Sequence, residues 1–387
     1  MRFEPTPEQA ALRDDARTFA REVVDPVARD LDRDGSYPGE ILAELGDRRL
    51  TGLTTPEAYG GRGEGMVELA LVVEELPASL MAVASALGLH LGVAEAIERF
   101  GTDDQRESLL PEMAAYDTVG ALGLSEENAG SDKSRLETTA RREGGSDDDG
   151  DEWILDGHKR WVTNFADADL VLTYARTGSD ANGRQRVTAF LVPTEAFEVD
   201  TVWDTLGARS VKSPKVTLDG VRVGDDRRVG EVGRAMAERG RLDTGINVPA
   251  RGVGIARAAL EDTVAYTSQR EQYDRHIGDF QGVRWRVAEM AERVDAARLL
   301  TLRAADLADR GVDTTRAFSM AKVNATQAAV DNANEAMQLH GGIGYTTERD
   351  VERYLRDARL LTVAGGPNEG HRDTVAEAVY ERHGGEN

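Results

Sequence analysis

Two short stretches carry the side chains best suited to chemistry, Gly123 to Asp132 (GLSEENAGSD) and Lys159 to Asn164 (KRWVTN). The first offers the hydroxyls of Ser125 and Ser131, with consecutive backbone N–H groups around Ala129-Gly130 of the kind that suits phosphate oxygens. In the second, Trp161 and Thr163 alternate along an expected strand and so face one side, the first as a stacking plane and the second as a hydroxyl. Together they describe a socket for a flat, phosphate-bearing cofactor. The loop taken alone also reads as an Asx or Ser turn joining two strands. No metal site is implied, because His90, His158, His276, His340, His371 and His383 show no ligand spacing. The chain has no cysteine, which excludes disulfides, thiol nucleophiles and cysteine-held clusters.

The elements that must position these segments fall into three blocks. Leu12, Ala16, Phe19, Ala20, Val23, Val24 and Val27 recur at helical spacing and predict an amphipathic helix from Thr6 to about Asp32, opened by the capping sequence Thr6-Pro7-Glu8-Gln9. Further helices are expected at 39–50, 64–86, 91–100 and 103–115. From Val119 the pattern changes to short β-favouring runs at 119–124, 136–142, 152–156, 160–163, 169–175, 187–192 and 215–223. The turn Gly144 to Asp151 (GGSDDDGD) is acidic and flexible enough to be a solvated tip. Helical periodicity returns near 231–271, 280–310, 313–340 and 367–382. The expected fold is therefore α+β, with an N-terminal helical domain (1–117), a middle β-barrel or sandwich domain (118–228) and a C-terminal four-helix bundle (229–387). Strands do not alternate with helices, which excludes a doubly wound sheet. The Gly-rich run at 341–344 follows a helix, so it is no dinucleotide fingerprint.

The 70 acidic residues against 47 basic ones give a net charge of −23, which repels nucleic-acid phosphates and anionic membranes. Only five of the basic residues are lysines (Lys133, Lys159, Lys212, Lys215, Lys322). That balance reads as a protein of a salt-loving organism, or as an ordinary acidic protein with an arginine-rich codon bias. The N-terminus, MRFEPTPEQA, has neither a basic start nor an apolar run, and no stretch is read as reaching the ~18 apolar residues of a membrane span. A soluble cytoplasmic protein with no membrane insertion is expected.

In order along the chain, the motifs resemble those of the acyl-CoA dehydrogenase family of FAD flavoproteins. The family's loop is matched by Leu124, Ser125, Glu126, Ala129, Gly130, Ser131 and Asp132, and its flavin strand by Lys159, Trp161, Thr163 and Asn164. Arg270, Gln272, Tyr273 and Gln281 match a third motif, and Gln338, Gly341, Gly342, Gly344 and Tyr345 a fourth, followed by Val351-Glu352-Arg353 and Arg356-Asp357-Ala358. The resemblance spans nearly the whole chain. It implies that Leu124, Ser125 and their neighbours hold the flavin ring edge, and that Ser131 meets the pyrophosphate or the substrate thioester. Trp161 would stack near the ring and Thr163 bond its N5. Arg270, Gln281 and the turn from Gln338 to Gly341 and Gly342 would grip the adenine half from a neighbouring subunit, requiring a homo-oligomer, with a dimer of dimers usual in the family, and Gln272 and Tyr273 are implied on the cofactor. Asn368 is implied on the cofactor, and His90 and Gly366 on the substrate. Read alone, Arg270 is also a solvated helix charge and Gly341-Gly342 a helix C-cap.

The implied reaction removes an α-proton from an acyl-CoA thioester and transfers the β-hydrogen to flavin, with an electron-transferring flavoprotein as electron acceptor. Such a step needs a carboxylate base and donors on the thioester oxygen. The family's commonest base position falls here on Gly365, which keeps only its backbone N–H, and a second branch's position falls on about Thr244. Three substitutes remain: Asp243, which also reads as a helix N-terminal carboxylate; Glu369, which also reads as structural; and His90, which also reads as a polar residue in a helix interface. Pro367 stands where the family often has a flavin-contacting Thr. The gap leaves open altered flavin chemistry, such as oxidation at a nitrogen-bearing carbon or oxygenation, and a non-catalytic scaffold that binds flavin or acyl-CoA.

Overall fold

The computed structural model of the protein describes residues 4–143 and 152–383, so the acidic turn at 144–151 lies outside the described residues. The N-terminal block is helical: α1 (Pro7–Phe19), α2 (Asp25–Asp34), α3 (Gly39–Asp47), α4 (Met66–Val73), α5 (Met81–Phe100) and α6 (Asp103–Ala115). Thr6 opens α1 with the expected capping box, its Oγ1 accepting from the Gln9 N–H while Gln9 Oε1 accepts from the Thr6 N–H. A π-turn at Ala20–Val24 joins α1 to α2. Pro26, in the first turn of α2, has no N–H for the helical ladder, which loosens the hydrogen bonding just before it.

The helix expected at 64–86 is in fact two. The chain breaks at Glu74–Leu80, around Pro77, and α5 then runs on through the separately expected 91–100 helix. Helix α5 has the length and apolar composition of a membrane span, contrary to the expectation, but most of it is buried within the protein. Its Met81, Val83, Leu87 and Leu91 join the N-terminal core of Phe19, Leu42, Leu45 and Leu69.

The middle block holds β1 (Gly120–Gly123), β2 (Thr139–Arg142), β3 (Glu152–Arg160), β4 (Leu170–Ser179), β5 (Gln185–Pro193), β6 (Glu198–Val202), β7 (Pro214–Gly224) and β8 (Arg228–Val229). They form one eight-stranded sheet in the order β6-β7-β3-β2-β4-β5-β8, with β1 paired in parallel against β4. Period-two alternation on β4 sorts its side chains between two cores. Leu170, Leu172 and Tyr174 pack with Ile97 of α5 and Met113 of α6, while Val171 and Ala175 pack with Trp153, Phe190 and Val216. The short strand expected at 160–163 does not form, and β6 was not expected because every one of its residues is exposed.

The C-terminal block comprises α7 (Ala235–Arg239), α8 (Asn247–Thr267), the hairpin β9 (Glu271–Gln272) and β10 (Arg275–His276), then α9 (Gln281–Asp309), α10 (Thr315–His340), α11 (Val351–Leu361) and α12 (Asn368–His383). Helix α10 packs against α8, α9, α11 and α12. The seam is rich in alanine, with Ala258, Ala259, Ala329, Ala333, Ala336 and Ala358 all buried, which lets the helix backbones approach closely.

Candidate active site

The loop after β1 is built on a buried ion pair. Glu126 Oε1 lies 2.5 Å from Lys159 Nζ, with both side chains fully buried, and the Glu126 carboxylate also accepts from the N–H groups of Glu137 (2.5 Å) and Thr138 (3.2 Å). Burial raises the pKa of Glu126, but Lys159 and these N–H donors outweigh it and hold the carboxyl below its ordinary value. Lys159 completes its shell on the Tyr174 carbonyl at 2.6 Å. The N–H of Arg160 donates to the Ser125 carbonyl at 2.7 Å, bringing the loop against the end of β3. Leu124 is buried in the core below.

Strand β3 stops at Arg160 because Trp161 takes a left-handed backbone (φ 59°). Trp161 and Thr163 therefore belong to a turn, closed by the Thr163 N–H on the Trp161 carbonyl at 3.0 Å, and do not alternate along a strand as expected. Trp161 leaves half its surface (51%) open and leans on Trp203 at 5.3 Å between ring centroids. Thr163 Oγ1 lies 3.2 Å from Ser213 Oγ. Asn164 is buried, donating to the carbonyls of Ala86 and Gly120 and accepting from the Tyr37 hydroxyl. Ser131 is exposed, and neither its N–H nor that of Gly130 has a partner among the described residues. An open indole face beside free N–H donors fits a planar, phosphate-bearing group. Lys133, not singled out by the sequence, sends Nζ to Ser125 Oγ at 2.9 Å and adds positive charge to the same pocket.

The turn between α11 and α12 packs against α8 and α10. Gly365 and Gly366 both have positive φ (66° and 96°). A Cβ on Gly365 would come 3.1 Å from Val248 Cγ2 on α8. Buried Lys322 ties the turn together, with Nζ on the Gly366 carbonyl (2.6 Å), the Asn368 Oδ1 (2.8 Å) and the Thr362 carbonyl (3.4 Å). Asn368, expected on the cofactor, is buried with its Oδ1 shared between Lys322 and Thr326. His371, another residue the sequence did not single out, sets Nε2 3.0 Å from the Gly365 carbonyl and Nδ1 3.1 Å from Ser319 Oγ. Of the five lysines in this arginine-dominated chain, Lys133, Lys159 and Lys322 line these segments. Lysine's rarity was the signal that could have found them.

The three candidate bases are otherwise engaged. His90 is fully buried between α6 and β1, with Nε2 2.9 Å from the Met113 carbonyl and Nδ1 accepting from the Gly120 N–H, so both ring nitrogens are taken by the backbone. Asp243 pairs with Arg99 at 2.7 Å and does not turn inward. Its N–H, together with the N–H and hydroxyl of Thr244, donates to Glu95, a buried carboxylate that caps this turn. Glu369 stands in solvent in the first turn of α12, 3.4 Å from Arg372.

A separate group gathers at the end of the bundle. Arg270, Gln272, Tyr273, Gln281, Gln338, Gly341 and Gly342 are all exposed. Tyr273 (87% exposed) and Asp274 form the tip of the β9–β10 hairpin, both with positive φ. Stacking of Tyr266 on His340 at 4.4 Å joins this end of α8 to the end of α10. Asn368 is not in this group, since it lies in the turn held by Lys322.

The chain is thus ordered as helices, sheet and helices, with a polar loop and an indole-bearing turn in the middle block and a glycine turn between α11 and α12. The family models for the acyl-CoA dehydrogenase N-terminal, middle and C-terminal domains match residues 6–117, 121–221 and 237–380. The chain is 34% identical to the probable acyl-CoA dehydrogenase YngJ of Bacillus subtilis, over 98% of this chain and all of that one. Among solved structures it is similar to butyryl-CoA dehydrogenase from Megasphaera elsdenii (TM-score 0.93, 31% identity, covering 98% of this chain and 100% of that one). It is also similar to a chain in the structure of the electron transferring flavoprotein of Acidaminococcus fermentans (TM-score 0.92, 30% identity, 98% and 99% covered). The chain belongs to the acyl-CoA dehydrogenase family, whose members are flavoproteins.

Proposed function

We propose that the protein carries out FAD-dependent α,β-dehydrogenation of an acyl-CoA thioester and passes the electrons to an electron-transferring flavoprotein. The observation that carries this reading is the convergence, in a chain of this family, of the Ser125 loop, the Trp161 turn and the Gly365 turn about α5 and α8. FAD, when bound, supplies the hydride acceptor. Trp161 offers it a stacking face, Ser125 and Thr163 offer hydroxyls, and the N–H groups of Gly130 and Ser131 suit its phosphates. The exposed set from Arg270 to Gly342 takes the adenine half of a neighbouring copy's cofactor, which accounts for the exposure of Tyr273 and Tyr345 in one chain. The Gly365 N–H is the donor we assign to the thioester oxygen, where negative charge develops. Similarity to the Acidaminococcus fermentans structure supports the choice of electron acceptor.

Neither Gly365 nor Thr244 presents a carboxylate to the α-proton, and loss of a positioned base costs roughly 10² to 10⁴ in rate. The same absence favours a second reading, a relative with altered flavin chemistry or a non-catalytic acyl-CoA binder. Anaerobic addition of saturated acyl-CoA thioesters to the flavin-loaded protein separates the two. Slow bleaching of the flavin absorbance is expected for at least one thioester. A flavin that stays oxidised with every chain length would remove the dehydrogenase reading and leave the second.

A further inference from the structure

Arg251, in the second turn of α8, is a buried cation with no counter-charge. It is 7% exposed, and no carboxylate lies within 4 Å of its guanidinium among the described residues. Nη1 donates to Ser85 Oγ at 2.6 Å, Nε reaches the Asn247 carbonyl only at 3.4 Å, and Nη2 has no partner among the described residues. Burial alone pushes its pKa down to about 10, so it stays charged at neutral pH. The other buried cations are compensated. Arg353 has Asp350 at 3.3 Å, Lys159 has Glu126, half-buried Arg356 has Asp32 and Glu352 at 2.6 Å, and Lys322, though it has no carboxylate, is fully bonded by three neutral oxygens. A guanidinium out of water and unpaired is costly, and an anionic ligand is what would compensate it.

Its position says which ligand. Helices α5 and α8 cross with Gly88 against Asn247 and Ser85 against Arg251, the glycine being required because a Cβ there would lie 2.6 Å from Asn247 Cγ. Val248, three residues before Arg251 and on the same face of α8, touches the Gly365 turn. Arg251 thus lies about one helical turn, ~5 Å along the axis of α8, from the residue that meets the Gly365 turn. On the other side Asn164, from the Trp161 turn, donates to the carbonyl of Ala86 beside Ser85.

We propose that Arg251 and Ser85 form a subsite for a carboxylate at the far end of the acyl chain, making the substrate class a short dicarboxylic acyl-CoA thioester. The inference rests on the acyl-CoA reading above. Glutaryl-CoA and pentanoyl-CoA have the same carbon count and differ in carrying a terminal carboxylate or methyl, so the charge of the CoA moiety cancels between them. Dissociation constants from calorimetric titration of the flavin-loaded protein test it. Glutaryl-CoA should bind about tenfold or more tighter, as a charge-assisted pair implies. Arg251→Gln should reduce that preference to less than about twofold, and Ser85→Ala, a milder change should the first fail to fold, should weaken it in part. Equal affinity on the wild type, or a preference that survives Arg251→Gln, overturns the subsite. If pentanoyl-CoA binds and glutaryl-CoA does not, the subsite falls while the acyl-CoA reading stands; if neither binds, both fall.

Discussion

At His90 both ring nitrogens are taken by the backbone, and burial pushes the pKa down from 6.5 to about 4. The folded chain therefore excludes a proton that the unfolded chain accepts. The stability contributed by the neutral ring is intact above pH 6.5 and is lost as the pH falls toward 4, by about 3 kcal/mol in all. Urea unfolding at pH 7 and pH 4.5 should show a steeper acid loss in the wild type than in His90→Gln. Equal losses in the two proteins would mean that His90 carries no such linkage. The same residue-scale logic separates Glu126 and Lys159 from the binding residues around them: their contacts are with each other and with backbone, and they shape the loop from beneath.

Among the elements, the turn from Val363 to Asn368 departs furthest from the family resemblance. Its left-handed backbone at Gly365, and the wall of Val248 at 3.1 Å from a Cβ there, mean that the residue is held by conformation as well as by what it lacks. Gly365→Ala is expected to cost about 1–2 kcal/mol, the penalty for an L-residue in this region. The measurement is the urea midpoint, which should move down; an unchanged midpoint would show that the turn relaxes to negative φ at no cost. Gly365→Glu meets the same obstacle, so a carboxylate does not drop into this position without rebuilding the turn that Lys322 and His371 now fasten.

For the molecule as a whole, a net charge of −23 acts against the compact state, and much of the arginine is drawn into pairs such as Arg17–Glu75, Arg257–Glu75 and Arg298–Glu74 that join the N-terminal helices to one another and to the bundle. Raising NaCl from about 0.1 to 1 M shortens the Debye length from roughly 10 to 3 Å, which relieves the long-range repulsion and leaves buried pairs largely intact. The thermal midpoint should rise over that range. A midpoint that falls would show that the surface ion pairs outweigh the repulsion.

Much of the plan was legible in the sequence because it is local. Helical periodicity, the Thr6 capping box and the change to β-favouring runs at Val119 depend on neighbours a few residues apart, and the motif order was enough to indicate the family. The break at Pro77 was missed because apolar residues continue across it, and β6 because an exposed edge strand carries no alternation to read. The end of β3 at Trp161 turns on one backbone angle that no residue type announces. Sequence alone determined that Gly365 brings no carboxylate. Only the tertiary structure decided that Asp243 is held by Arg99, that His90 faces α6 and β1, and that Arg251 meets Ser85 without a carboxylate. Each of those outcomes depends on residues from 23 to 166 positions apart along the chain, and whether a charge finds a partner is fixed by the packing of helices and strands.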